Sequence, residues 1–313
     1  MTLMTGFIRR ICEGQLLFKC QELEYISLSQ NALEGSVPQQ IENLTKLIVL
    51  YLNHNNLTGG IPSIIESLHF LKFLDLSFNN LTGQLPSALF KCQELEILSL
   101  SGNVLEGSVP QEVGNLTKLS ELQLYTNNLT GPYSYSNLNL SILKWSTSIN
   151  SIQLPRVKRG ELNFSSKIPS IIGSLPFLMF LDLSFNNLTG RLPPLQPSLR
   201  GLSVAQNNLI GEIPSSICNM SSLKYYFILS KNKFHGIIPK CLGDLSNSIE
   251  FMDLSMNSFH GKIPGNFHKS CLLRCFFINH NQLEGPLPRS LVNCSKLELL
   301  DVANNNLNDT FPN

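Results

Sequence analysis

Charge is scarce in this chain: only 14% of its 313 residues are Asp, Glu, Lys or Arg, where an average soluble domain carries roughly a quarter. A formal net charge of +1 leaves no global field to draw the protein to nucleic acid or anionic lipid, so no nucleic-acid partner is expected. Long hydrophobic runs are missing too. No stretch approaches the roughly 18 apolar residues of a membrane span. At the N-terminus, MTLMTGFIRRIC places Arg9 and Arg10 after its short apolar run, the wrong order for a signal peptide. The chain itself is therefore expected to carry neither export signal nor anchor. There is no G-x-S-x-G, no phosphate-binding glycine loop and no kinase signature set, so no enzyme and no cofactor are expected. His54, His69, His235, His260, His268 and His280 show no convergence with further ligands, and His235 and His260, each just before a glycine, read as stacked turn surface; no metal site is expected.

What replaces charge is Asn and Ser, and the Asn is periodic. The frame L-x-x-L-x-L-x-x-N-x-L recurs at Asn31, Asn55, Asn79, Asn103 and Asn127 in steps of 24, then at Asn186, Asn207, Asn232, Asn257, Asn281 and Asn305 in steps of 21, 25, 25, 24 and 24. A repeat of this length reads as one short strand, a turn and a loosely helical return, none of which can bury its apolar side alone, so stacking is obligatory. In the unit Leu71 to Glu94, Leu74 and Leu76 should point inward because they lie two apart on a strand, leaving Phe73, Asp75 and Ser77 facing solvent. Asn79 sits at the turn, where its amide can serve backbone groups otherwise buried unpaired.

After each Asn comes x-L-x-G-x-[IVL]-P, as at Gly35/Pro38, Gly59/Pro62, Gly83/Pro86, Gly107/Pro110, Gly190/Pro193, Gly211/Pro214, Gly236/Pro239, Gly261/Pro264 and Gly285/Pro288. Glycine permits a bend and proline holds the residue before it extended. This spacing resembles the plant-specific class of leucine-rich repeat. The resemblance implies an α/β solenoid, a right-handed superhelix with a parallel sheet on its concave face.

Two duplications locate an interruption. Leu17 to Leu47 returns almost verbatim 72 residues later, whereas Ile61 to Gly83 returns after 107. An insertion at Tyr133 to Lys167 is the simplest account of the excess. A competing frame makes Leu154 to Phe177 a degenerate repeat, and partial repeat character around Leu154 to Phe164 is favoured because Asn163, Phe164 and Pro169 keep register with Asn187, Leu188 and Pro193. Such an interruption reads either as an island that helps bind a ligand or as a plain loop; its Arg156, Lys158 and Arg159 read as a solvated basic stretch. The expected organisation is a truncated first repeat without a proper cap over 1–22, repeats over 23–132, an insertion or degenerate repeat over 133–167, and repeats over 168–313 ending mid-repeat.

LPPLQPSLRGLSVAQNNLIGEIPSSIC, DLSMNSFHGKIPGNF and NQLEGPLPRSLVNCSKLELLDVANNNLNDTFPN, all beyond Leu192, resemble plant leucine-rich-repeat receptor-like proteins. The first half is equally similar to receptor-kinase ectodomains. The resemblance implies a glycosylated ectodomain at the cell surface in the intact parent. Such a module binds a peptide, protein or glycan ligand and works with a co-receptor kinase in immune or developmental signalling. The alternative is a secreted inhibitor of pathogen cell-wall-degrading enzymes, which has a similar repeat but cysteine-paired caps that this sequence does not show.

The outward strand positions supply the candidate ligand-binding face. Tyr25, Phe73, Phe180, Tyr226 and Phe251 stand six residues before an Asn position, and Asp75, Asp182, Asp253 and Asp301 stand four before one. Tyr51, Tyr125 and Phe277 add aromatic surface. Rows of exposed aromatics anchor interfaces, although the LDLS words equally suit inherited consensus. Glycosylation sequons occur at Asn43, Asn56, Asn80, Asn115, Asn128, Asn139, Asn163, Asn187, Asn219, Asn293 and Asn308. Cys20 and Cys92, three coils apart and so roughly 14 Å from each other at strand spacing, read as buried thiols. Cys218 with Cys241, or Cys271 with Cys294, can meet across adjacent coils, but unpaired thiols are the favoured reading. The extra residue in Leu223 to Asn232 should appear as a bulge or slipped strand start near Tyr225 and Tyr226, with Phe227 and Leu229 kept inward.

Overall fold

The computed structural model describes residues 20–130 and 167–308. The calls on Asn139, Arg156, Lys158, Arg159, Asn163 and the Leu154 to Phe164 stretch fall outside them. Eleven three-residue strands, from Tyr25–Ser27 to Leu299–Asp301, form one parallel sheet in which each strand pairs with the next coil's strand. Leu50 faces Leu74, Leu74 faces Leu98 and Leu98 faces Leu122, so the inward leucines stack in register. Leu74 and Leu76 are completely buried, as their spacing demands. In the later coils Phe227, Phe234, Phe259 and Phe276 fill the same interior, with Phe234 stacked on Phe259 at 6.3 Å. Each fully buried side chain of this size contributes roughly 1.5–3 kcal/mol.

The Asn positions work as staples between two coils. The Asn79 amide donates to Leu76 O and Ser77 O of its own coil and to Leu52 O of the preceding one, at 3.0–3.2 Å, while its oxygen accepts Leu57 N at 3.0 Å. Asn103, Asn207, Asn257 and Asn281 repeat the pattern. A leucine at position 79 would leave the Leu57 N–H unpaired and take one of two donors from each of the three carbonyls, which keep Asn55, Asn103 and His54 N. The residue before each Asn is left-handed, including Phe78 and Phe185 at φ 52° and 54°. Such a conformation is unfavourable for a bulky side chain, and here the Phe78 N–H bonds forward to Ser101 O at 2.8 Å in the next coil.

Three expectations need correcting. Each coil carries a second strand as well as the first: the L-x-G segments pair in parallel as a five-stranded sheet through residues 34–129 and a six-stranded one through residues 189–307. His235 and His260 lie on these lateral strands, offset by two positions, so they are not a stacked pair in a turn. The glycines described in these segments, from Gly35 to Gly285, have a positive φ, and at Gly236 a Cβ would lie 2.7 Å from Glu212 Cγ, which crosses over it from the preceding coil. Ser77, expected in solvent, is only 4% exposed, with its N–H bonded to Asp75 Oδ1 at 2.9 Å.

After the prolines the return path is a five-residue 3-10 turn in seven of the described coils and an α-helical turn at Cys241–Leu245. Both cross-coil cysteine pairs are disulfides, Cys218–Cys241 and Cys271–Cys294, contrary to the thiol reading. Adjacent coils bring their Cα atoms to 5.4 and 4.7 Å, which is bonding range. Cys92 is a buried thiol whose Sγ contacts Ile65 O at 3.3 Å, but Cys20 is exposed.

The strand Glu121–Gln123 pairs directly with Phe180–Asp182, leaving no place in the sheet for a coil between them. At Tyr226–Ile228 the bulge is where the sequence puts it. Lys224 N and Tyr225 N both bond to Arg200 O, one position earlier than in the regular coils, and Phe227 then faces Leu202 in register, fully buried.

Candidate functional site

All twelve candidate residues lie on the outer face of the eleven-stranded sheet. Tyr25 is the most exposed at 59%, and Tyr51, Phe73, Asp75, Tyr125, Phe180, Asp182, Tyr226, Phe251, Asp253, Phe277 and Asp301 are half-buried. They do not form one row. Three clusters result.

In the first coils Tyr25 meets Tyr51 edge-on at 6.2 Å, and Tyr51 stands beside Asp75 on the next strand. Burial, and then Tyr25 and Asp75, raise the Tyr51 hydroxyl above the usual tyrosine range. Phe73 stands between Val49 and Ile97 without an aromatic neighbour. Alongside, His54 stacks on Phe78 at 4.5 Å, and Phe78 meets Tyr125 at 6.3 Å. Frame counting missed His54 and Phe78, because they sit at the left-handed turn just past the strand.

The central cluster forms around a missing side chain. Gly201 pairs with Phe180 on one side and Tyr226 on the other, and both rings lean over it: a Cβ there would lie 2.6 Å from Tyr226 Cζ and 3.0 Å from Phe180 Cδ1. Phe180 lies 5.7 Å from Tyr225 and 6.4 Å from Tyr226, so it is packed and does not stand free in solvent as its position in the frame suggested. Lys224 lies 5.6 Å over the Tyr225 ring. Burial pushes the Tyr226 hydroxyl up to about 12, with Asp182 and Glu121 adding to it, and burial raises the Asp182 carboxyl against two hydrogen bonds from Ser184 that lower it.

The third cluster sets Phe251 against Phe277 at 5.6 Å. Between it and the central cluster lies an open groove of about 490 Å³ lined by Tyr225, Tyr226, Ile228, Phe251 and Cys275, with Glu250, Arg274 and Glu298 at its rim. Arg274 is held by Glu298 through two hydrogen bonds, at 2.9 and 3.2 Å.

The aspartate column has a structural task. Asp75, Asp182, Asp253 and Asp301 each accept the backbone N–H two residues on, at 2.9–3.0 Å, fixing the approach to the left-handed turn. Of the described sequons, Asn43, Asn56, Asn80, Asn115, Asn128, Asn219 and Asn308 are exposed and Asn293 is half-buried. Asn187 is 5% exposed and its oxygen accepts Asn208 Nδ2 at 2.6 Å, which closes it to a glycan. Among the described residues no group of three or more His, Cys, Asp or Glu could hold a metal ion, and no helix is long and apolar enough to cross a membrane.

Against this geometry the likenesses to known proteins are consistent. Family models described as Leucine rich repeat match residues 21–81 and 69–129, and again residues 177–196 and 198–220. Receptor-like protein 18 of Arabidopsis thaliana is 33% identical over 195 residues, 59% of this chain and 20% of that protein. Receptor like protein 23 of the same plant is 47% identical over 149 residues, 48% of this chain and 16% of that protein. The chain thus spans a fifth or less of these relatives. Among solved structures, the Arabidopsis receptor kinase HAESA, in complex with the peptide hormone IDA and the co-receptor SERK1, superposes with a TM-score of 0.76 at 32% identity, over 93% of this chain and 44% of that one.

Proposed function

The chain belongs to the leucine-rich-repeat proteins, in their plant receptor-like branch, and from that premise we propose that it is a non-catalytic ligand-binding stretch of a cell-surface receptor's ectodomain. The observation that carries this reading is the rigid eleven-stranded sheet, whose outer face gathers aromatic clusters and bears none of the described sequon asparagines within its strands. Aromatic anchors on a rigid support lose little entropy on binding. A peptide is the favoured ligand class, since HAESA binds a peptide hormone with the same fold. Two cross-coil disulfides and seven exposed sequons support an extracellular, glycosylated setting. A co-receptor kinase and a role in immune or developmental signalling follow for the intact receptor.

The test is selection of a displayed random-peptide library on the secreted chain, followed by substitutions on two faces. Binding of the selected peptides should fall about tenfold or more with Tyr125→Ala or Phe251→Ala, a loss of roughly 1.4 kcal/mol or more. It should be unchanged by His260→Asp on the lateral sheet. The reverse pattern would move the ligand off the main sheet.

A further inference from the structure

We infer that the groove between Tyr226 and Phe251 is a subsite for an apolar side chain of an extended peptide, with a basic residue of the same peptide placed at Glu250. This deepens the reading above and rests on it.

Two departures from the 24-residue repeat converge on this spot. The 21-residue step brings Gly201 into the sheet beside Tyr226, and the 25-residue step that follows adds the bulge that doubles the tyrosines. Because Gly201 offers no side chain, Tyr226 tilts toward Phe180 and away from the strand Phe251–Asp253. That tilt opens the groove on its far side. Bulges commonly re-aim side chains next to binding sites, and here the bulge leaves Tyr225 41% exposed along the rim. Ile228 and Cys275, both half-buried and apolar in character, also line the groove, with Cys275 on the strand beyond Phe251. A volume of about 490 Å³ lies within the range of a small-ligand cleft.

Charge selects the neighbour. Arg274 is the one cation lining the groove, and Glu298 already holds it through two hydrogen bonds. Glu250, beside Arg274 on the neighbouring strand, is the second carboxylate of the lining, so the groove carries two carboxylates to one cation. An incoming Lys or Arg meets that excess of carboxylate beside the rings of Tyr226 and Phe251, an arrangement that suits a cation, whereas Tyr225 already carries Lys224 over its ring. An acidic residue meets only Glu250 and an arginine that is already engaged.

The experiment uses a positional-scanning library of acetylated hexapeptides on the full chain. An aliphatic or prolyl residue beside Lys or Arg should be enriched. Tyr226→Ala should erase the apolar preference, and Glu250→Lys, a rim change that keeps the fold, should reverse the basic preference to an acidic one. Enriched peptides should also slow alkylation of Cys275, read by mass spectrometry at that residue, by about tenfold at saturation. Peptides that bind but lose nothing with either groove substitution, and leave Cys275 unprotected, would overturn the subsite. If such peptides are lost with Tyr125→Ala, ligand binding by the main sheet still stands. Absence of binding by any library member would overturn both readings.

Discussion

The Asn186 side-chain oxygen accepts the Leu129 N–H at 3.0 Å, although the two residues are 57 positions apart in the chain. Everywhere in the regular first half the same bond spans 22 positions, as between Asn79 and Leu57. Asn186 also donates to Leu124 O, so one side chain joins the coils on either side of residues 131–166.

Deleting residues 132–166 removes the 35 positions by which the step from Asn127 to Asn186 exceeds the regular 24. The shortened chain should fold with the sheet intact. Circular dichroism and urea titration should give a midpoint within experimental scatter of the parent, and a collapse in stability would show that the coils do not meet directly.

Asn186→Ala leaves the Leu129 N–H without its acceptor and takes one of two donors from the Leu124, Leu183 and Ser184 carbonyls, which keep Asn127, Asn207 and Thr126 N. At about 1–3 kcal/mol for a buried unsatisfied group, the loss should be about 1–3 kcal/mol. Hydrogen exchange should show it concentrated in the strands Glu121–Gln123 and Phe180–Asp182.

Phe180→Ala should lower stability by about 1–2 kcal/mol, because the ring packs on Tyr225 and Tyr226. The frame alone predicts almost no change. Chemical denaturation of this single variant separates the two expectations.

Asp182 has a folded-state pKa raised above 3.8, first by burial. The folded state then holds its proton more tightly than the unfolded one. The favourable contribution is complete below 3.8 and is lost as pH rises through the folded value. Asp182→Asn, which keeps an acceptor for Ser184 N, should flatten that part of the melting-temperature profile. An unchanged profile between pH 3 and pH 6, roughly the window of a perturbed carboxylate, would remove Asp182 as its source.

Reduction should weaken the C-terminal coils selectively. Each disulfide closes a loop with a sequence separation of 23, for which chain entropy gives about 3 kcal/mol. Hydrogen exchange with and without reductant should differ between residues 200 and 300 but hardly between residues 45 and 125.

The frame of the sequence made the main sheet legible down to register, since leucines two apart and Asn at fixed spacing admit one inward set; even the bulge before Phe227 could be placed. The lateral strands were not legible, because residues such as Glu34–Gly35 or Thr189–Gly190 carry no strand pattern and pair only once the coils are stacked. The twelve candidate positions all fall on the outer face, yet Gly201, which organises the central cluster, has no side chain to count. The disulfides depended on a Cα separation that spacing alone does not give.

Each Asn staple reaches backward: Asn79 completes the coil of Leu52 and Leu57 as well as its own. A coil emerging from the ribosome is therefore finished only by its successor's asparagine. The folding front should trail synthesis by one coil, and the nascent chain should always present one coil with unmet backbone groups at its growing end. The same polarity makes a coil whose successor lacks its asparagine the natural place for the structure to begin to fray.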